Sequence, residues 1–132
     1  MKRLGSKAIP APQFHYTPCV QAGAHYSVSG MVGLDPATSR LVEGGTAAQT
    51  RRIFDNLLLA LPDYGLTLGD MVLARIYTTD FGAFPQINAI WEAVLADQPP
   101  PARTSVGVQA LPLGASVEIE FSFYKNALSP QE

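Results

Sequence analysis

Cysteine is almost absent: Cys19 is the one thiol in 132 residues. A disulfide within the chain is excluded, and so is a metal site built from cysteines. Charge is scarce as well. Asp, Glu, Lys and Arg make up 15% of the chain, against roughly 25% in an average domain. The net charge of -2 leaves no excess of positive residues. Nucleic acid is therefore not an expected partner, since it requires a basic face, and beyond the N-terminus Arg51-Arg52 is the only close basic cluster. No apolar run approaches the ~20 residues of a membrane span. The basic opening Met1-Lys2-Arg3 lacks the apolar stretch of a leader peptide. A cytoplasmic location is the expectation. His15 and His25 have no acidic or cysteine partner nearby in sequence, so no metal site is predicted. A Gly-x-Ser-x-Gly elbow and a phosphate-cradling glycine loop are also missing.

Apolar residues, by contrast, reach 47%. One domain over residues 1–132 is expected, with an irregular segment over 1–13, where Pro10 and Pro12 withhold ladder donors, and a polar tail over 126–132. So little charge on so small a chain predicts an apolar surface that a second subunit covers.

The pattern predicts strands over 19–21, 25–32, 71–79, 103–110 and 116–124. In the second of these, Ala24, Tyr26 and Val28 fall on one face and His25, Ser27, Ser29 and Met31 on the other. A helix is expected from Thr46, which with Gln49 fits a capping box. Its stripe is Ile53, Leu57 and Leu61, and Pro62 should end it within a turn. A second helix is expected over 83–97, with Ile87, Ile90, Trp91 and Val94 inward. The order β-β-α-β-α-β-β implies an α+β fold: a mixed sheet with two helices on one face. The last strand sends Val117, Ile119, Phe121 and Phe123 one way and Glu118, Glu120, Ser122 and Tyr124 the other.

Two segments carry the candidate chemistry. Pro101-Ala102-Arg103-Thr104-Ser105-Val106 sets an arginine at the mouth of a strand, and Val117-Glu118-Ile119-Glu120 sets carboxylates among apolar residues. The link Leu111-Pro112-Leu113-Gly114 is expected to lay these two strands side by side, bringing Arg103 next to Glu118. An arginine fork matches a carboxylate with two parallel hydrogen bonds. A glutamate against apolar surface, beside a second one, has a perturbed pKa. Taken alone, Arg103 also reads as a surface arginine in a salt bridge, and the glutamates as solvated residues of an edge strand. Ser29-Gly30 reads as an approach point for a ligand or as a bulge. Asn88 reads as a loop partner or a solvent-facing side chain, and Cys19 as a small buried hydrophobe.

Pro101 through Val108, with Leu111-Pro112 and Val117 through Glu120, resembles the signature of the RidA (YjgF) family, whose members are also labelled L-PSP endoribonucleases. Val20-Gln21, Ser29-Gly30, Asp55-Asn56, Gly65-Leu66, Gly69-Asp70 and Asn88 extend the likeness along the chain. The resemblance implies a chorismate-mutase-like fold and a homotrimer with sites in the clefts between subunits. It also implies cofactor-free hydrolysis of 2-imino or enamine acids, such as 2-aminoacrylate, to 2-keto acids and ammonia. In that frame Arg103 holds the substrate carboxylate and Glu118, rather than Glu120, activates water. Ser29, Gly30, Ser105 and Asn88 belong to the substrate site. The chain departs from the family where Cys19 replaces a tyrosine and Ser105 a cysteine. The first departure implies a smaller, softer pocket wall at Cys19. Two alternatives accompany the deaminase: a non-catalytic module binding small carboxylates, or a deaminase dedicated to one catabolic pathway. A ribonuclease or translation inhibitor fits the charge less well.

Overall fold

In the computed structural model, which describes residues 1–125, the chain forms one sheet of six strands. The strands are β1 (Lys2–Leu4), β2 (Cys19–Ala22), β3 (His25–Met31), β4 (Met71–Thr78), β5 (Ala102–Gly107) and β6 (Val117–Tyr124). The helices are α1 (Gly45–Tyr64) and α2 (Phe84–Val94). The expected polar tail over 126–132 lies outside the described residues. The sheet is mixed, in the order β1-β2-β3-β6-β4-β5, and only β4 and β5, joined through α2, run parallel. The fold is α+β, as the sequence pattern implies.

The N-terminal segment is not wholly irregular. Lys2–Leu4 pairs antiparallel with β2, Leu4 opposite Cys19. The prolines lie beyond it, so nothing blocks a short edge strand before them.

The capping box at Thr46 does not form. The cap lies two residues earlier, at Gly44 with φ 113°, and makes no side-chain cap hydrogen bond. The Thr46 hydroxyl is used elsewhere: it donates to Asp80 Oδ2 (3.1 Å) and is hydrogen-bonded with Ser116 Oγ (2.8 Å). Gln49 Oε1 accepts from the Ser116 amide (2.9 Å). These groups tie the start of α1 to the end of β4 and the approach to β6. Pro62 sits inside the last turn, where it costs one intrahelical hydrogen bond, and the helix ends at Gly65. α2 is shorter than expected and follows a 3₁₀ turn over Phe81–Ala83.

The core lies between the sheet and the two helices. Ile53, Phe54 and Leu57 of α1 meet Ile119, Phe121 and Phe123 of β6, all essentially sealed from solvent. Phe54 packs edge-on against both Phe121 (5.9 Å between centroids) and Trp91 of α2 (6.1 Å), which places both helices on the same face. In β3, Tyr26 and Val28 face this core as expected, but Met31 does not alternate with them. A register shift between Val28 and Met31 puts Met31 opposite Ile119 and against the core. The shift is a β-bulge at Ser29-Gly30.

The expected side-by-side pairing of the last two strands is wrong. β4 lies between β5 and β6. The hydrophobic pattern of 71–79 marks a strand buried on one face with neighbours on both edges. Residues 108–116, including the 3₁₀ turn Pro112–Gly114, carry the chain past the end of β4 rather than round a hairpin.

Candidate active site

Arg103 and Glu118 occupy different faces of the sheet. Ala74 of β4 is opposite both Arg103 of β5 and Phe121 of β6. Directly paired residues share a face, so Arg103 points to the helical side with Phe121. Tyr77, three residues further along β4, is opposite Glu118. Because side chains alternate along a strand, Tyr77, Glu118, Glu120 and Arg75 line the side without helices. The chain therefore does not join the arginine and the glutamate into one intrachain pair.

On the helical side, α2 holds Arg103. The guanidinium donates from Nη1 to Asn88 Oδ1 (2.7 Å). It also lies 5.4 Å from the Phe84 ring centroid and 5.2 Å from that of Trp91. Phe84, Asn88 and Trp91 recur at helical spacing, so one face of α2 supplies all three contacts. Cation–π contacts at such sites contribute about 0.5–1 kcal/mol each. Among the described residues, Asn88 is the one hydrogen-bond partner of the fork, which leaves most of its donors for a ligand. Ser105 lies on the same face, opposite Ile76. Its Oγ is buried without a hydrogen-bond partner.

On the other side, Glu118 faces the bulge of β3. A Cβ on Gly30 would stand 2.7 Å from Glu118 Oε2 and 2.9 Å from its Cδ, so a larger residue there would push the carboxylate aside. Burial, and secondarily the charge of Glu120, raise the Glu118 pKa above the usual carboxylate range. Glu120 accepts from the Tyr77 hydroxyl (2.5 Å) and lies 3.8 Å from Arg75 Nη1. That hydrogen bond is the main reason the Tyr77 phenol is pushed up. Glu120 is thus engaged, whereas Glu118 remains half-buried, raised and available.

Glu118, Ser29 and Gly30 form one end of a cavity of about 510 Å³. The segment before β2 makes its wall, with Pro12, Phe14 and Tyr16 prominent. Ser29 pins this segment: its hydroxyl donates to Thr17 O (2.6 Å) and its amide to Pro18 O (2.9 Å). The Tyr16 phenol is raised by burial and then by the Glu118 charge. Tyr16 and Phe14 went unrecognised in the sequence, where the segment carries no strand or helix period. The available signal was two aromatic residues in a proline-rich stretch with no periodic partner to bury them.

Cys19 is not part of this cavity. It is opposite Val28 on the helical face and fully buried. Burial pushes its thiol up to about 11, and burial likewise pushes the Tyr64 phenol up to about 12, with Cys19 and then Asp63 adding to it. The expected pocket wall at Cys19 is therefore corrected: the residue is a core element, as its small apolar side chain allows. Asn56, also buried, donates from Nδ2 to Leu34 O (2.7 Å) at the floor of the cavity. Among the described residues no three His, Cys, Asp or Glu side chains converge.

A mixed sheet with two helices on one face, and a raised glutamate in a cavity beside the β3 bulge, defines an α+β protein with a candidate small-molecule site. Comparison places it more closely. A family model described as Endoribonuclease L-PSP matches residues 6–124. Protein DfrA of Myxococcus xanthus is 38% identical over 127 residues, spanning 91% of this chain and 96% of that one. A protein of Dermatophagoides farinae named 2-iminobutanoate/2-iminopropanoate deaminase is 33% identical over 120 residues, spanning 90% and 93% of the two chains. The crystal structure of RidA from an Antarctic Psychrobacter has a TM-score of 0.89 at 34% identity, covering 95% of this chain and 100% of that one. The chain belongs to the RidA (YjgF) family.

Proposed function

We propose that the protein is a cofactor-independent deaminase that hydrolyses 2-imino or enamine acids to 2-keto acids and ammonia. The observation that carries this reading is the state of Glu118: half-buried, raised in pKa, without a side-chain hydrogen bond among the described residues, and lining a cavity large enough for a substrate. A carboxylate with a raised pKa is a better base toward water than an ordinary one. The imine carbon is already electrophilic, so one oriented water suffices. Water attacks C2 as Glu118 accepts its proton; the tetrahedral carbinolamine then takes a proton on nitrogen and expels ammonia, leaving the keto acid.

Arg103 holds the substrate carboxylate, and its docking against α2 fixes the fork before substrate arrives. Since Arg103 and Glu118 of one chain face opposite ways, the reading requires a neighbouring subunit, with Arg103 of one copy meeting Glu118 of the next. A homotrimer closes such head-to-tail contacts into a ring. The relative named an imine deaminase supports the chemistry.

The test supplies imines in situ from an amino-acid oxidase and follows their loss with semicarbazide as trap. Arg103→Ala and Glu118→Gln should each lower kcat/KM by at least ~100-fold, the scale of general-base and carboxylate-positioning effects. Wild-type turnover in either variant would overturn the mechanism.

A further inference from the structure

The cavity that one chain forms at Glu118 is larger than a three-carbon imino acid requires. Such a molecule displaces on the order of three waters, about 100 Å³, whereas the cavity holds about 510 Å³. That volume lies inside the ~300–1,000 Å³ typical of sites for larger ligands. Its polar lining groups include Glu118, Glu120, Ser29, Gln13, Asn56 and the Tyr16 phenol. Most of the remaining wall is apolar, with Ile9, Pro12, Phe14 and Leu113 along it.

Two features make this wall a built surface. The segment over 9–16 is held in place, by β1 pairing with β2 before it, by Gln13 Nε2 donating to Ser39 O (3.2 Å), and by Ser29 at its far end. Phe14 is nonetheless 62% exposed. On the other lip, Leu113 adopts φ 61°, a left-handed conformation that a branched, bulky residue takes only under constraint. Gly114 beside it, at φ 72°, takes the same region freely. Leu113 keeps its side chain in the cavity lining despite that strain, and strain of this kind concentrates at functional sites.

We infer that the site selects 2-imino acids with an apolar side chain of leucine to phenylalanine size, with Phe14 and Leu113 as specificity-determining residues that clasp it. The inference rests on the deaminase reading of the same site. The carboxylate end lies toward Arg103 of the adjacent subunit, C2 toward Glu118, and the side chain along the N-terminal wall. A short side chain leaves the wall wet, and an acidic one meets the Glu118 and Glu120 carboxylates. A hydrophobic pocket distinguishes substrates by ~10- to 200-fold per methylene-sized difference.

The test uses one D-amino-acid oxidase to generate the imines of alanine, leucine and phenylalanine, with semicarbazide as the trap. The expected result is a kcat/KM for the phenylalanine imine at least ~10-fold above that for the alanine imine. Phe14→Ala and Leu113→Gly should each cut that ratio by ~5-fold or more, mainly through KM. Leu113→Gly should do so without lowering the thermal midpoint, because it relieves the strained φ. Hydrolysis of all three imines without preference, or with preference for the alanine imine, overturns the inference and leaves the deaminase reading standing. Hydrolysis of none overturns the deaminase reading. A change of assembly mass in Phe14→Ala, with selectivity intact, assigns the wall to a second copy of the chain and overturns the inference as well.

Discussion

At the scale of single residues, two glutamates two positions apart have different fates. Glu120 is occupied by the Tyr77 hydroxyl and lies near Arg75, while Glu118 faces Gly30 and the cavity. Both point the same way, so the Glu120 charge adds to burial in raising Glu118. The Tyr16 phenol from the N-terminal wall and the Tyr77 phenol from β4 lie on that side as well, and both stay neutral well above the range in which Glu118 titrates. The base must be ionised to accept a proton, so kcat/KM should rise with pH through a midpoint above the ordinary glutamate value of about 4.3. Glu120→Gln removes the like charge and should move that midpoint down, though not to the ordinary value, because burial remains. A pH profile that stays fixed or moves up in the variant would contradict this account. Cys19 teaches the opposite lesson: a residue aligned with a site position can be core, because pairing with Val28 turns it inward.

At the scale of elements, α2 does more than connect parallel strands. It presents Phe84, Asn88 and Trp91 along one face, and the Arg103 guanidinium lies against all three. Removing the Asn88 acceptor frees the guanidinium to rotate over the two rings. Asn88→Ala should therefore raise KM by ~10-fold, about 1.4 kcal/mol, with a smaller effect on kcat and a thermal midpoint within a few degrees of the parent. A kinetically silent Asn88→Ala would show that the rings alone hold Arg103. The helix and strand boundaries were largely legible in sequence, since Ile53, Leu57 and Leu61 keep the helical period and Val117 to Phe123 the strand period. The start of α1 was misread because Thr46 competes for two partners. A capping hydroxyl is worth ~1 kcal/mol, and the tertiary hydrogen bonds to Asp80 and Ser116 displace it.

At the scale of the whole molecule, β4 between β5 and β6 sets Arg103 and Glu118 on opposite faces of the sheet. On the deaminase reading proposed above, an operative site therefore requires two chains. Arg103→Ala and Glu118→Gln, each inactive alone, should complement when unfolded together and refolded as a mixture. Random mixing restores an intact Arg103–Glu118 site at roughly a quarter of the subunit contacts, and turnover should recover to that order. Mixtures that stay inactive, with mixed assemblies confirmed by mass, would refute the shared site. An RNA partner is not favoured at this scale either: the net charge is -2, and two carboxylates, Glu118 and Glu120, line the cavity.

The sequence by itself determined the class of fold, the faces of β6 and the residue types able to do the chemistry, because those depend on local period and on side-chain character. Strand order is not a local property. Nothing in the link over 108–116 reveals that β4 is inserted between β5 and β6; that follows from burying β4 between two neighbours above the helices. Tertiary structure alone therefore decided that Arg103 and Glu118 diverge, that Cys19 is sealed in the core, and that the proline-rich start of the chain forms the wall of the site.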